Sequence, residues 1–219
     1  MTGERDFLVG KRVTVVGLGI EGEDVIRYAF ARGAARVTVI DSRPPEALAE
    51  RIEKLEELPI HYLLARPRTE GIADSDIVFA SQSILMNDPA LEEARARFIP
   101  VTSMTREFMA RCPGPTIGIT GSSGKTTTTA LVAHIFAKDG RAYRVGGNIG
   151  NGLLGLLDGI DERTWTVMEI SHTQLQLTDR SPHISAVLNV TPNHLDQFPW
   201  DAYVALKQNL VRNASTDDF

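Results

Sequence analysis

The alternation of short apolar runs with helical patterns constrains the fold of this chain more than any other feature. In the first half, the apolar runs are RVTVVG (12–17), ARVTVID (35–41), IHYLL (60–64), DIVFAS (76–81) and IPVTS (99–103). They are almost wholly apolar, which is typical of strands covered on both faces. Helical patterns lie between them at 22–32, 44–57, 88–97 and 104–111. This order predicts an α/β fold with a parallel, doubly wound sheet.

A second series of the same kind follows the segment RCPGPT (111–116), whose prolines and glycine do not continue a helix. Its strands are predicted at 116–120, 142–147, 164–171 and 184–190. Its helices are predicted to run from the first loop to about Lys138 and from Trp200 to about Asn213. We therefore predict two domains, 1–112 and 113–219, each with a mainly parallel sheet.

Composition excludes several classes of partner. The net charge is −5 and no basic block is present, so nucleic acid is not expected to bind. A single cysteine, Cys112, cannot form a disulfide within the chain and fits a reducing compartment. No apolar run approaches the ~18 residues of a membrane span, and the first twelve residues lack the apolar core of a signal peptide. We therefore predict a cytoplasmic protein that does not enter a membrane.

The first candidate site is the glycine loop GLGIEG (17–22), which follows a predicted strand and opens a predicted helix. Asp41 ends the next strand, where an acid can bind a ribose or base hydroxyl. In that context the loop predicts a nucleotide with its phosphates at the helix N-terminus. A tight turn that needs glycine is the alternative. Glu21 would face a bound pyrophosphate unless its side chain points away.

The second candidate site is the loop GITGSSGKTTTT (118–129), which also joins a strand to a helix. The common template G-x-x-x-x-G-K-[ST] requires glycine at position 119, which is Ile119 here. Even so, backbone N–H groups can curl around an anion, Lys125 can neutralise terminal phosphates, and the Thr126 hydroxyl can bind Mg²⁺. The loop predicts an ATP site. Its assigned residues are Gly121, Ser122, Ser123, Gly124, Lys125, Thr126 and Thr127.

Two further segments supply candidate metal ligands. Glu169 ends the predicted strand TWTVMEI, at the carboxyl edge of the sheet, where ligands of open α/β folds bind. It either binds Mg²⁺ or its water, or caps the next turn. His194 and Asp196 follow another strand at the same edge. His194 is either a metal-site residue or a polar surface residue.

Lys207 is distinguished by its position in the last predicted helix. At 100° per residue it falls in the middle of an apolar stripe formed by Trp200, Tyr203, Val204, Leu210 and Val211. Its ammonium group would therefore point inward, where a free charge is costly. It can snorkel to water, form an ion pair or be modified. Burial lowers the pKa of a lysine, and the neutral amine can react with CO₂ to give a carbamate, an oxygen ligand for Mg²⁺.

Together these motifs resemble the Mur ligase family, the ATP-dependent amino-acid ligases of peptidoglycan synthesis. The family loop reads G-x-T-G-[ST]-x-G-K-[ST]-[ST], and residues 118–127 fit it throughout. Further motifs follow in order: GLGIEG, IDSR, DPALEEARARFIPV, GGNIG, EISHTQL and LNVTPNHLD. The resemblance covers essentially the whole chain. It implies a Rossmann-like N-terminal domain and a central ATP-binding domain, in the branch that adds D-glutamate to UDP-N-acetylmuramoyl-L-alanine.

The resemblance also implies roles for individual residues. The UDP-sugar-peptide substrate would be bound by Gly19, Ile20, Glu21, Asp41, Ser42, Arg43, Ser83, Asn148 and Gln174. The catalytic residues would be Lys125, Glu169, His194 and Lys207. Thr126 and Glu169 would hold one Mg²⁺, and His194 with a carbamylated Lys207 would hold a second. The implied reaction phosphorylates the L-alanine carboxylate with ATP, and the amine of D-glutamate then attacks the acyl phosphate.

The chain departs from the family pattern in places. Ser81-Gln82-Ser83-Ile84 stands where the family usually has Ser-Pro-Gly-Ile. The resemblance further implies that the central domain is incomplete and the C-terminal domain absent, so we expect that the chain does not turn over alone. We also expect a monomer. Another Mur-type amino-acid ligase and a non-catalytic nucleotide-binding module are the alternatives. An NAD(P)-linked oxidoreductase leaves the second loop, Glu169 and Lys207 unexplained.

Overall fold

The computed structural model describes residues 7–193 and 196–219, which divide into two compact units before and after the boundary between Met104 and Thr105. Each unit contains one sheet, and every strand pair in both sheets is parallel. This confirms the predicted α/β class. The domain boundary predicted at 112/113 falls after the helix that begins at Met104, and it stays a prediction.

The first unit is a five-stranded sheet with helices between its strands. Its strands are β1 (Arg12–Val16), β2 (Arg36–Asp41), β3 (Ile60–Leu64), β4 (Ile77–Ala80) and β5 (Val101–Thr102), in the order β3-β2-β1-β4-β5. Its helices are α1 (Ile20–Ala31), α2 (Ala49–Glu53) and α3 (Pro89–Ala96), and α4 (Met104–Arg111) follows. Short 3₁₀ helices lie at Pro45–Leu48 and Ile72–Asp74. The strand order reverses between β1 and β4, so a crevice forms beyond their carboxyl ends.

The second unit is a four-stranded sheet in the order β7-β8-β6-β9. Its strands are β6 (Thr116–Thr120), β7 (Tyr143–Gly147), β8 (Trp165–Glu169) and β9 (Ile184–Val187). Helix α5 (Lys125–Asp139) follows β6, helix α6 (Trp200–Gln208) follows β9, and 3₁₀ helices lie at Leu154–Gly159 and Gln174–Gln176. Ile117, Ile119 and Val167 form a buried core between the sheet and its helices.

Two predicted helices are shorter than expected. The pattern at 44–57 gives a 3₁₀ helix and then α2, because the backbone of buried Leu48 leaves helical geometry between them (ψ +4°). The last helix ends at Gln208 rather than near Asn213. Beyond it, the N–H groups of Asn209, Leu210 and Val211 donate to carbonyls three residues back, as in a 3₁₀ turn.

Gly118 lies inside β6 rather than in the loop that follows it. A Cβ at this position would lie 2.4 Å from Cγ of Pro182 and 2.9 Å from Cδ1 of Leu210. The glycine therefore lets the segment after α6 pack closely on the strand, which gives the displaced glycine of the loop motif a packing role. None of the helices in residues 7–193 and 196–219 is both long and apolar enough to cross a bilayer.

Candidate functional site

A cavity of about 490 Å³ opens at the carboxyl edge of the first sheet, beyond β1, β2 and β4. Its wall contains every substrate-binding residue predicted in this unit: Gly19, Ile20, Glu21, Asp41, Ser42, Arg43 and Ser83. These residues come from three loops that are distant in sequence, and parallel strands bring the loops to one edge. Their roles in binding a UDP-linked substrate stay predictions.

Asp41 is buried in the wall of this cavity and its carboxylate is saturated with donors. It accepts hydrogen bonds from the Leu18 N–H (2.9 Å), the Arg43 N–H (2.9 Å) and Arg43 Nη2 (2.7 Å). Burial alone would raise the pKa of Asp41, but the hydrogen bonds from Arg43 and Leu18 outweigh it and hold the pKa below its ordinary value. Asp41 thus fastens the glycine loop to Arg43.

Glu21 lies in the first turn of α1, where the helix dipole favours an acid. Only 5% of the residue is exposed, and its Oε2 accepts a hydrogen bond of 2.6 Å from the N–H of Gln82. The sequence suggested that Glu21 faces a pyrophosphate or points away. In the structure its carboxylate lies in the cavity wall and bridges α1 and the loop after β4, the loop that departs from the family pattern; whether it faces a pyrophosphate stays a prediction.

Two arginines in the cavity wall, Arg51 and Arg68, were missed by sequence reasoning. Arg68 Nη1 lies 2.5 Å from Asp88 Oδ2, and its Nη2 lies 3.2 Å from the Ser42 hydroxyl, so it joins the N-terminus of α3 to the loop after β2. Arg51 pairs with Glu23 of α1. Neither arginine belongs to a motif, and only the strand order brings them to this edge. Each is paired with a carboxylate, so they add two ion pairs to the cavity wall.

The phosphate loop of the second unit runs from the end of β6 to α5. Gly124 has φ +82°, a conformation that favours glycine, and Lys125 begins the helix. The first N–H groups of α5 have no partner within the helix, so they are available to an anion. Lys125 Nζ folds back onto the Gly121 carbonyl at 2.9 Å, while Thr126 and Thr127 are exposed. The ATP-binding roles of these residues stay predictions.

A segment after β9 contacts the same loop. It belongs to the motif LNVTPNHLD, but the sequence analysis gave its Asn189 no role. Asn189 Oδ1 accepts a hydrogen bond from the Ser123 N–H (3.0 Å), and Asn189 Nδ2 donates to the Ser123 carbonyl (3.0 Å). The Ser122 N–H donates to the Asn189 carbonyl at 2.9 Å. The Ser122 hydroxyl lies 3.0 Å from the N–H and the carbonyl of Thr191 and from the Tyr203 hydroxyl.

Glu169 ends β8, as predicted, and is 2% exposed. Its Oε1 accepts a hydrogen bond of 2.8 Å from Asn148 Nδ2. Its Oε2 is buried and has no hydrogen-bond partner among the described residues. A buried carboxylate oxygen without a donor is costly, and a cation would compensate it. Mg²⁺ typically takes one or two carboxylates together with substrate phosphates, so this arrangement fits the ion.

Lys207 is 1% exposed, which confirms that it points inward and excludes snorkelling. Its Nζ donates to the Thr120 hydroxyl (3.0 Å) and the Gly121 carbonyl (3.2 Å), and no described carboxylate forms an ion pair with it. Burial, and then the charge of Lys125, lowers its pKa to about 8. The predicted stripe is only partly buried, because Trp200 and Val211 are 39% and 43% exposed.

The remaining predicted residues have other surroundings. Gln174 is buried, and its Oε1 accepts the Ser171 N–H at 2.8 Å, which stabilises the turn after β8. Asn148, expected in the substrate path, directs its amide to Glu169. Asp196 is exposed. His194 lies outside the described residues, so its predicted role is not examined by the structure.

Comparisons with known proteins relate both units to the family that the motifs resemble. Residues 11–103 match the family model of the MurD-like N-terminal domain of Mur ligases, and residues 119–219 match the Mur ligase middle domain. The chain is 40% identical over 210 residues to UDP-N-acetylmuramoylalanine–D-glutamate ligase of Symbiobacterium thermophilum, covering 95% of this chain and 46% of that protein. It is 35% identical over 215 residues to the ligase of the same name from Clostridium botulinum strain Loch Maree, covering 98% and 47%.

Solved structures of low identity share the fold. UDP-N-acetylmuramate–alanine ligase of Thermotoga maritima aligns with a TM-score of 0.57 at 22% identity, over 93% of this chain and 47% of that one. UDP-N-acetylmuramate:L-alanyl-γ-D-glutamyl-meso-diaminopimelate ligase of Neisseria meningitides aligns with a TM-score of 0.59 at 16% identity, over 95% and 69%. The chain spans about half the length of the curated relatives it matches.

Proposed function

The chain belongs to the Mur ligase family, and we propose that it carries the substrate and ATP sites of a ligase that joins D-glutamate to UDP-N-acetylmuramoyl-L-alanine. One observation carries this proposal. Three charged groups converge at the carboxyl edge of the second sheet: Lys125 and Lys207 donate to the same carbonyl, and Glu169 ends the neighbouring strand. The relatives with this printed function support the choice of substrate.

The proposed reaction has two steps. The carboxylate of the L-alanine residue takes the γ-phosphoryl group of ATP, and ADP leaves. The amine of D-glutamate then attacks the carbonyl carbon of the acyl phosphate, an amide bond forms, and inorganic phosphate and a proton are released. Lys125 and the N–H groups at the head of α5 bind the phosphates and offset the charge on the transferred group.

The metal-site residues are proposed from the family resemblance, and the buried oxygen of Glu169 and the buried Lys207 support two of them. Thr126 and Glu169 would hold one Mg²⁺, whose charge would stabilise the phosphoryl group in transfer. The lowered pKa of Lys207 leaves a larger share of neutral amine near pH 8 than an exposed lysine has, which favours reaction with CO₂. We propose that the carbamate of Lys207, with His194, holds a second Mg²⁺.

The first unit is proposed to bind the UDP moiety in the 490 Å³ cavity, between the glycine loop and the arginines. Asn148 and Gln174, in the second unit, are proposed to contact the part of the substrate that contains the reacting carboxylate. We also propose a cytoplasmic location, in keeping with the single cysteine and the nucleotide substrates, and a monomer.

Calorimetric titration of the 219-residue chain tests the two sites separately. ADP with Mg²⁺ and UDP-N-acetylmuramoyl-L-alanine are both expected to bind. Lys125→Ala should weaken ADP roughly 100-fold, because a charge-assisted contact is lost, and leave the UDP ligand unaffected. Lys138→Ala, at the other end of α5, is the control. If neither ligand binds to the wild-type chain, the proposal is wrong.

A chimera tests the activity itself. The chain replaces the matching part of the Symbiobacterium ligase, and phosphate release from ATP is measured with each substrate omitted in turn. Release that requires both UDP-N-acetylmuramoyl-L-alanine and D-glutamate supports the proposal. Release that requires a different amino acid indicates another Mur-type ligase. Nucleotide binding without any release from a folded chimera indicates a non-catalytic module.

A further inference from the structure

We propose that Asn189 is a positioning residue that holds the phosphate loop in its nucleotide-binding conformation before any nucleotide binds. This inference rests on the proposed ATP site. It assigns a role to a residue that is neither part of the phosphate loop nor one of the proposed catalytic residues Glu169 and Lys207. Asn189 lies just after β9 and belongs to none of the predicted sites.

Backbone pairing continues past the ends of two strands to reach this residue. The parallel ladder of β6 and β9 ends where Thr120 faces Val187. Beyond it, the Leu188 N–H donates to the Thr120 carbonyl at 3.0 Å, and the Ser122 N–H donates to the Asn189 carbonyl at 2.9 Å. The first part of the phosphate loop is therefore fixed to the neighbouring segment, as though the sheet extended two residues further.

The side chain of Asn189 then forms hydrogen bonds with both backbone polar groups of Ser123, the next residue of the loop. It accepts from the N–H of Ser123 and donates to the carbonyl of the same residue, each at 3.0 Å. Only one orientation of the amide matches a donor with an acceptor at both atoms. Since these two contacts restrain Ser123 from both sides, the loop does not need an anion to hold its shape.

The contacts also separate the N–H groups of the loop into two sets, one bonded to Asn189 and one left for a ligand. The N–H groups of Ser122 and Ser123 both donate to Asn189, so in this conformation they are not available to a ligand. The N–H groups at the head of α5 keep no helical partner and remain for phosphate oxygens. A preformed loop avoids the loss of conformational entropy on binding. The Asn189–Ser123 clamp, formed by the side-chain contacts of Asn189 with Ser123, therefore raises nucleotide affinity without contacting the nucleotide.

Substitutions of Asn189 separate this role from a general effect on stability. Asn189→Ala removes the two backbone contacts and the longer contact with the Ser123 hydroxyl (3.4 Å), and is expected to weaken ADP binding about 10-fold. Asn189→Asp keeps an acceptor for the Ser123 N–H but opposes the Ser123 carbonyl and adds negative charge beside the phosphates, so a larger loss is expected. The control is Asn209→Ala, which removes an asparagine contact of the same length, to the Leu175 carbonyl, in the same unit.

The experiment measures two quantities in the 219-residue chain: amide hydrogen exchange of Ser122 and Ser123 without ligand, and ADP affinity with Mg²⁺ by calorimetry. Asn189→Ala should speed exchange at both amides and weaken ADP, whereas Asn209→Ala should do neither. Unchanged exchange overturns the clamp, whatever happens to ADP. Faster exchange with unchanged ADP affinity overturns the positioning role. Absence of ADP binding by the wild-type chain refutes the proposed ATP site itself and with it this role, a result distinct from the first two.

Discussion

The two units treat the charges of their candidate sites in opposite ways. In the first unit, Asp41 and Arg43 pair with each other, and Arg68 pairs with Asp88. In the second unit, among residues 7–193 and 196–219, Glu169 has a buried oxygen without a donor, and Lys207 donates only to neutral acceptors and lies near a second lysine. The charges of the first site are thus paired within the protein, whereas those of the second site are only partly compensated by the described residues.

This difference matches the chemistry proposed for each unit. A cavity whose charges are paired holds its shape and binds a substrate without reacting with it. Groups that are buried and only partly compensated cost stability, and such groups cluster where a reaction takes place. The comparison therefore predicts opposite effects on stability when a charge is removed from either unit.

The largest effect is expected at Asp41. Asp41→Asn places an amide N–H₂ against the donors of Arg43 or Leu18, so the first unit should lose about 2 kcal/mol of unfolding free energy. Urea unfolding measures the loss, with hydrogen exchange in peptides from residues 7–104 as the readout. Asp76→Asn is the control, since its ion pair with Arg12 is partly exposed and should contribute far less. Equal losses in both variants would remove the distinction drawn for Asp41.

A smaller effect is expected from the pH dependence at Lys207. Its pKa falls from 10.5 in the unfolded chain to about 8 in the fold, so the unfolded state binds more protons between these values and stability rises with pH across this window. Lys207→Met lacks this dependence and should be more stable than the wild type at pH 7. In bicarbonate-free buffer, its advantage should shrink by about 1 kcal/mol between pH 7 and 9.

Tryptophan fluorescence measures this change, because both tryptophans, Trp165 and Trp200, lie in the second unit. The wild type and the variant are unfolded in urea at both pH values. A constant difference between them would show that the amine titrates normally in the fold.

The smallest effect on stability is expected at Glu169. Glu169→Gln keeps an acceptor for Asn148 and removes a buried charge, so unfolding free energy should stay level or rise by up to ~1 kcal/mol. The same variant should lose most of the Mg²⁺ dependence of ADP binding. Fluorescence unfolding and calorimetry with and without Mg²⁺ test both parts. A clear loss of stability would place Glu169 with the paired charges of the first unit.

The sequence predicted the positions of the site residues better than the partners that those residues contact. The positions that face the sheet edge could be inferred, because glycine loops and strand-end acids mark the carboxyl ends of parallel strands. Lys207 could be inferred from helical periodicity. The partners of these groups could not, because Glu21 meets Gln82 and Ser123 meets Asn189 across more than sixty residues of chain.

The sequence by itself determined the α/β class, the two glycine loops and the inward direction of Lys207, since each depends on local period or spacing. The tertiary structure decided how the charges are compensated. Which strands are neighbours is set by crossovers that no short pattern encodes, and the order β7-β8-β6-β9 places the loop after β6 between Glu169 and Asn189. Hydrogen bonds act over about 3 Å, so this order alone fixed whether each buried group found a partner.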